Sequence, residues 1–292
     1  MFRQILLDGM VAGSAYALVA LGFGLIFKVC GFYNLAHGAV YAVGAYLAYL
    51  FVNVCGWHLG VGVGVAILGT ALVGYGMEVG VYRPMRRRHS TSLVLLIASL
   101  GLLIGVQNLI ALLFGNDTKM LRTEPIQEGL SFLGARITPV QLLTVLASVA
   151  LSAGLWLWLR KSKWGRMIQA VASDPELSLI VGVPVDTAST MTFAVGSALA
   201  GVAAILLAFD TDLTPLMGFR IILMAVVAVI VGGVGSIPGS YLGGMFVGVI
   251  EHLGVWKLPT QWQDSIVFAI LILFLIVRPQ GLLGKPIART EV

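Results

Sequence analysis

The chain is 292 residues long, 59% hydrophobic and 11% charged, with a formal charge of +5 and a mean hydropathy of +0.98. Soluble domains carry about a quarter charged residues, so this balance excludes them and leaves a polytopic membrane protein. The cations sit in loops and not on one amphipathic face, which reads as positive-inside topology and not as a nucleic-acid surface.

The opening MFRQILLD has an Arg ahead of apolar residues but no convincing cleavage site, and is read as part of a retained first helix. Charge-free runs then recur at about the 20 residues a helix needs to cross roughly 30 Å of hydrocarbon, whereas a β-barrel would need short alternating segments. An all-α transmembrane bundle is expected, in one permease-like domain over 1–292. Spans are placed at about 9–28, 35–52, 59–82, 93–115, 140–159, 187–209, 220–235, 239–254 and 260–277. Nine is the best count in a range of eight to ten, because the first two spans, and the seventh and eighth, are joined by Gly-rich breaks and not by charged loops.

Cations dominate RPMRRRHSTS at 83–92, the start of the loop 160–186 and the tail from Arg278 to Arg289, and all three are placed in the cytoplasm. Residues 116–139 balance Asp117, Glu124 and Glu128 against Lys119, Arg122 and Arg136 and are placed outside. Nine crossings put the N-terminus in the periplasm and the C-terminus in the cytoplasm. GSAYALVA at 13–20 echoes GSALAGVA at 196–203 in helices of opposite direction, which raises an inverted repeat. Cys30 and Cys55 lie near opposite ends of one span, too far apart for a disulfide.

Two breaks interrupt the apolar pattern. GFYNLAHG, 31–38, lies in a stretch (29–77) without Lys, Arg, Asp or Glu. Asn34 and His37 are three apart and share a face if helical. Polar groups at membrane depth are costly unless they line a cavity or pack in protein, so Asn34, His37 and Gly38 mark either a substrate pathway or a helix start capped by Asn34. GGVGSIPGS, 232–240, cannot sustain a regular helix, since Gly costs about 1 kcal/mol and Pro about 3 relative to Ala. Gly232, Gly233 and Gly235 therefore form a tight turn or a bend in the same pathway. Small residues four apart, Gly9/Gly13, Gly101/Gly105, Gly239/Gly243 and Gly244/Gly248, fit close helix packing. Glu78, near Arg83, and Glu251 with His252, near Lys257, fall toward span ends where side chains snorkel.

No catalytic or metal signature is present. The tail GLLGKP, 281–286, has Pro279 where a P-loop needs its first Gly and Pro286 where it needs Ser or Thr. The four histidines are scattered, and no metal site is expected. The loop 160–186 is the informative polar segment. Arg166–Ser173 reads as a short amphipathic helix, with Gly165 relaxing the chain before it. Asp174-Pro175 starts another, with a capping acid, a preorganised Pro and Glu176 in the first turn. Gly182 ends it. A helix lying there offers a soluble partner something to push.

Six segments in series resemble the branched-chain amino acid ABC transporter permeases: GSAYALVALGFGLIF, NLAHGAVYAVGAYLA, GRMIQAVASDPELSLIVGV, FAVGSALAGVAAILLAF, VGGVGSIPGSYLGGMFVGVIE and RPQGLLG. They span most of the chain in the family's order. The resemblance implies an inner-membrane importer subunit working by alternating access. Its partners would be a second related permease, two cytoplasmic ATPases that bind ATP and Mg, and a periplasmic solute-binding protein. It also implies that Gly165, Arg166, Ala170, Asp174, Pro175, Glu176 and Gly182 belong to a helix that couples to an ATPase. The cargo stays open between branched-chain or related small amino acids and urea or short amides. A stand-alone secondary transporter or channel is the competing class, and a membrane enzyme has the least support.

Overall fold

The computed structural model describes residues 2–121, 130–132, 135–256 and 258–284. Glu124, Glu128, Arg122, Lys257 and the tail beyond Gly284, on which part of the topology reading rests, lie outside them. Helices dominate because a chain in lipid must satisfy its backbone hydrogen bonds within each segment. In order they are α1 (Phe2–Cys30), α2 (Ala36–Tyr49), α3 (Leu59–Met77), α4 (Arg83–Arg87), α5 (Ser92–Phe114), α6 (Pro139–Lys161), α7 (Lys163–Ser173), α8 (Pro175–Ile180), α9 (Val185–Ala208), α10 (Met217–Gly232), α11 (Ile237–Val255) and α12 (Gln263–Val277). A π-helical turn at Leu50–Val54 extends α2, and another at Glu78–Tyr82 joins α3 to α4. A short antiparallel pair, β1 (Leu130–Phe132) and β2 (Ala135–Ile137), precedes α6.

Among the described residues seven continuous helices are long and apolar enough to cross a membrane, and α10 with α11 forms a broken or re-entrant pair that brings the number to eight at most. The expected count of nine is thereby corrected: 220–235 and 239–254 are two arms of one pair, bent by 120° at a four-residue break. Gly233 and Gly235 carry φ of +108° and +81°, which Gly adopts without the Cβ clash other residues suffer. Ser236 then caps α11 by accepting from the Gly239 amide, and Pro238 sits in its first turn.

α1 is the axis of the bundle. At 1.5 Å per residue its 29 residues run about 44 Å, buried for most of that length, with α11, α9, α10 and α6 against it. Its contact with α11 is backbone on backbone: a Cβ on Gly13 would lie 2.9 Å from the Met245 carbonyl oxygen, and one on Gly248 would overlap the Gly13 backbone. By contrast α3, α5, α6 and α12 are mostly exposed. The small-residue pairs thus divide: Gly9/Gly13, Gly239/Gly243 and Gly244/Gly248 meet neighbouring helices, while Gly101 and Gly105 face open space. α1 and α9, which carry the two echoing segments, meet where Gly22 abuts the Gly196 carbonyl.

The bundle has two distinct ends. At one, Phe2 rests on Trp256, Gln4 binds the Arg136 backbone, Gln141 reaches Asp210 and Lys119 pairs with Leu213. This gathers the starts of α1 and α6 with the ends of α5, α9 and α11. At the other, α7 folds back onto the end of α6, and Arg83 and Arg87 on α4 clasp Asp186 at the start of α9 at 2.7 and 2.8 Å.

Candidate functional site

Three regions hold the residues that sequence and structure single out. The first is the elbow between α1 and α2. Asn34 is buried and accepts from the Tyr82 hydroxyl at 2.7 Å, tying the elbow to the π turn after α3. Asn34 does not cap α2; that position is Leu35, whose backbone amide donates to Ser99 Oγ at 3.0 Å. His37 is fully buried, and apart from an approach to the Val19 carbonyl its ring nitrogens meet no partner in hydrogen-bond geometry. An unpaired polar group at that depth is costly. Gly38 and Gly218 bring the first turns of α2 and α10 into backbone contact.

Asn34, His37 and Gly38 are therefore neighbours. Gly232, Gly233 and Gly235 are at the far end of α10, 14 residues beyond Gly218 and about 21 Å along its axis. There the turn is filled by the C-terminal segment: the Leu282 and Leu283 amides donate to Val231 and Gly232 at 2.8 and 2.9 Å, and Gly233 packs on Gly284. One continuous lining does not join the two glycine-marked breaks.

The second region is α7–α8. α7 begins at Lys163, where Ser162 caps it by accepting from the Gly165 amide at 2.8 Å, so Gly165 lies inside the helix. Its missing side chain lets α7 press on the backbone of Leu159, and Gln169 donates to the Leu159 carbonyl at 2.9 Å. Ile168 and Val171 point inward, while Arg166 and Ala170 are exposed. Asp174 caps α8 through the Leu177 amide at 2.9 Å, with Pro175 at the first helical position and Glu176 exposed beside it. Gly182, with φ of +81°, reverses the chain toward α9. Leu177, Leu179, Ile180 and Val181 are exposed on this polar end of the molecule, Ile180 at 82%.

The third region did not emerge from the sequence. At the end opposite α7, a cavity of about 380 Å³ is bordered by Asp8 and Tyr16 of α1, Asp210 after α9, Arg220 of α10 and Glu251 of α11. Glu251 is 1% exposed and does not snorkel; Arg220 pairs with it at 2.8 Å and with Asp264 at 3.1 Å. Glu78 likewise does not snorkel: it is fully buried and grips Arg86, not Arg83. Charges near span ends are unremarkable in a linear reading, and only the packing of α1, α10 and α11 brings Asp8, Arg220 and Glu251 together.

A helical bundle of this kind, with a polar cavity at one end and an amphipathic helix pair at the other, has the architecture of a multi-pass membrane protein. The chain belongs to the family described as branched-chain amino acid transport system / permease component, whose model matches residues 5–275. It is 33% identical to the high-affinity branched-chain amino acid transport system permease protein LivH of Escherichia coli, over 98% of this chain and 96% of that one. It is equally similar to BraD of Pseudomonas aeruginosa, at 33% identity and the same coverage. A probable LivH of Methanocaldococcus jannaschii is 26% identical over 97% of this chain and 92% of that one. Among solved structures, PsaBC from Streptococcus pneumoniae in complex with Fab matches with a TM-score of 0.54 at 14% identity. The match covers 94% of this chain and 92% of that chain, a likeness of fold alone.

Proposed function

We propose that this chain is the membrane permease subunit of an ABC importer for branched-chain amino acids in the bacterial inner membrane, working by alternating access. The observation that carries the reading is the near full-length match to permeases named for that transport. A second related permease, two cytoplasmic ATPases that bind ATP and Mg, and a periplasmic solute-binding protein complete the assembly; the chain itself performs no chemistry.

The exposed apolar side chains of α8 and its C-cap Val181 support an ATPase dock, because Leu177, Leu179, Ile180 and Val181, beside Asp174 and Glu176, fit a protein cleft better than water. Arg83, Arg86, Arg87, Arg160, Lys161, Lys163 and Arg166 gather at the α7 end, whereas Asp8, Asp210, Asp212, Glu251 and Asp264 lie toward the cavity end. By the positive-inside rule the α7 end is cytoplasmic. α1 starts at the cavity end, so the N-terminus is periplasmic. The segment after α12 packs on the α10–α11 turn, which supports a cytoplasmic C-terminal side.

Glu176→Lys and Ile180→Glu in the assembled transporter test the coupling role. Both are expected to leave the permease in the membrane at wild-type amounts while uptake falls at least about tenfold per ATP hydrolysed, the loss of one good interface contact. Uptake and hydrolysis that stay coupled in both variants would refute it. Asp174→Ala is expected to cost about 1 kcal/mol of local stability through the lost cap, readable as faster amide exchange at 175–180.

A further inference from the structure

We propose that the junction of α6 and α7 is a seat for the headgroup of an anionic phospholipid at the membrane surface, formed by Arg160, Lys161, Lys163 and Arg166 together with Trp156 and Trp164. The seat requires only the membrane-spanning fold and is independent of what the chain transports.

The four cations flank Ser162, where α6 ends and α7 begins, and all four are exposed. Gly165 presses α7 onto the backbone of Trp158 and Leu159, so the two helix ends that carry these charges are held against each other. No Asp or Glu occurs anywhere between residues 129 and 173. The next acid, Asp174, stands about 16 Å along α7 from Lys163, where it accepts from the Leu177 amide. Among the described residues none of the four cations forms an ion pair.

The other basic cluster at this end of the molecule differs in that respect. Arg83 and Arg87 hold Asp186, and Arg86 holds Glu78, so three of its cations are already neutralised within the protein. At the α6–α7 junction the charges repel one another with nothing inside the chain to offset them, and an anion placed among them relieves that repulsion. Two of the four are arginines, whose planar fork matches phosphate oxygens two at a time.

The aromatic residues make the anion a lipid. Trp156 and Trp164 are exposed, and each lies under a cation: the Arg160 guanidinium is 4.2 Å from the Trp156 ring centre and the Lys163 ammonium 5.3 Å from that of Trp164. Exposed Trp rings settle at the headgroup level of a bilayer, and a cation resting on such a ring is held at that depth. Below Trp156, α6 continues as a mostly exposed span that acyl chains can cover. A soluble acidic protein could meet the charges but would leave the rings and this apolar flank unmatched. The exposed apolar residues of α8 lie beyond the far end of α7, so a lipid here leaves them free.

The test is native mass spectrometry of the full chain, purified in detergent and titrated with dioleoylphosphatidylglycerol or dioleoylphosphatidylcholine. The anionic lipid is expected to bind at least about tenfold more tightly. Changing Arg160, Lys161, Lys163 and Arg166 together to Gln is expected to bring the two lipids within about twofold of each other, whereas Arg88→Gln, in the other basic loop, leaves the preference intact. Arg160→Lys with Arg166→Lys keeps every charge and is expected to keep most of the preference. If the fourfold variant does not fold, Arg160→Gln with Lys163→Gln is read in its place, with an expected loss of at least about threefold. Equal binding of the two lipids by the wild type, or an undiminished preference in the Gln variants, overturns the seat. Displacement of the lipid by an equal concentration of inorganic phosphate would assign the patch to a free anion. Gln variants that keep the lipid preference but no longer co-purify with an ATPase subunit would assign it to an acidic protein surface.

Discussion

Gly248→Leu is expected to prevent accumulation of folded protein, while Gly105→Leu leaves the isolated chain as stable as the wild type. Both glycines belong to small-residue pairs that look alike in sequence. Gly248, however, presses on the backbone of Gly13 and the Gly9 carbonyl, and nothing lies within 4 Å of the place where a Cβ on Gly105 would stand. In a membrane, helices gain little from burying apolar surface against each other and associate through close packing. A leucine at 248 must therefore separate α1 from α11 along their longest shared contact. Overpacking costs about 1–3 kcal/mol where side chains give way, and here the obstacle is backbone on both sides. Gly248→Ala is expected to fall between the two. The check is the fraction of monodisperse protein surviving a graded heat step in detergent, compared for the three variants.

Arg86→Met is expected to destabilise the chain by about 3–5 kcal/mol, the cost of stranding a buried charge. Glu78 has no exposed surface, and its two oxygens are held by the two terminal nitrogens of Arg86. The pair sits where the π turn joins α3 to α4, one turn from the Tyr82 hydroxyl that grips Asn34, so loosening it also frees the α1–α2 elbow. Replacing both partners, Glu78→Leu with Arg86→Met, is expected to recover most of the loss, since buried ion pairs are often matched by well-packed apolar residues. The same heat-step assay reads the cycle; a single variant as stable as the wild type would show that the charge is not sealed from water. The exposed pair between Arg87 and Asp186 is the contrast, with an expected effect below about 1 kcal/mol.

The relation between pattern and fold is clear in particular elements. Asp174, Pro175 and Gly182 act where a cap, a preorganised first residue and a left-handed stop are needed, because capping depends on neighbours within four residues. The nine-span count failed at 233–236 for the converse reason. Local composition shows that a helix must break there, but the 120° bend is set by what α10 and α11 pack against. His37 was conspicuous, with Asn34, as a polar residue in a stretch without charges. Glu251 was not, since an acid near a span end is ordinary until its partner is known. Arg220 lies 31 residues away in sequence and 2.8 Å away in space.

By itself the sequence determined that the chain spans a membrane as helices, that a capped polar helix pair projects at its basic end, and that it resembles the branched-chain amino acid permeases. Those properties come from hydropathy, short-range hydrogen bonding and motif order, all of which act along the chain. The tertiary structure alone decided which glycines touch backbone, that α10 and α11 form one broken pair, and that Asp8, Arg220 and Glu251 share a cavity. Such features depend on distances between helices far apart in sequence, and in lipid those distances are set by shape complementarity that no linear pattern encodes.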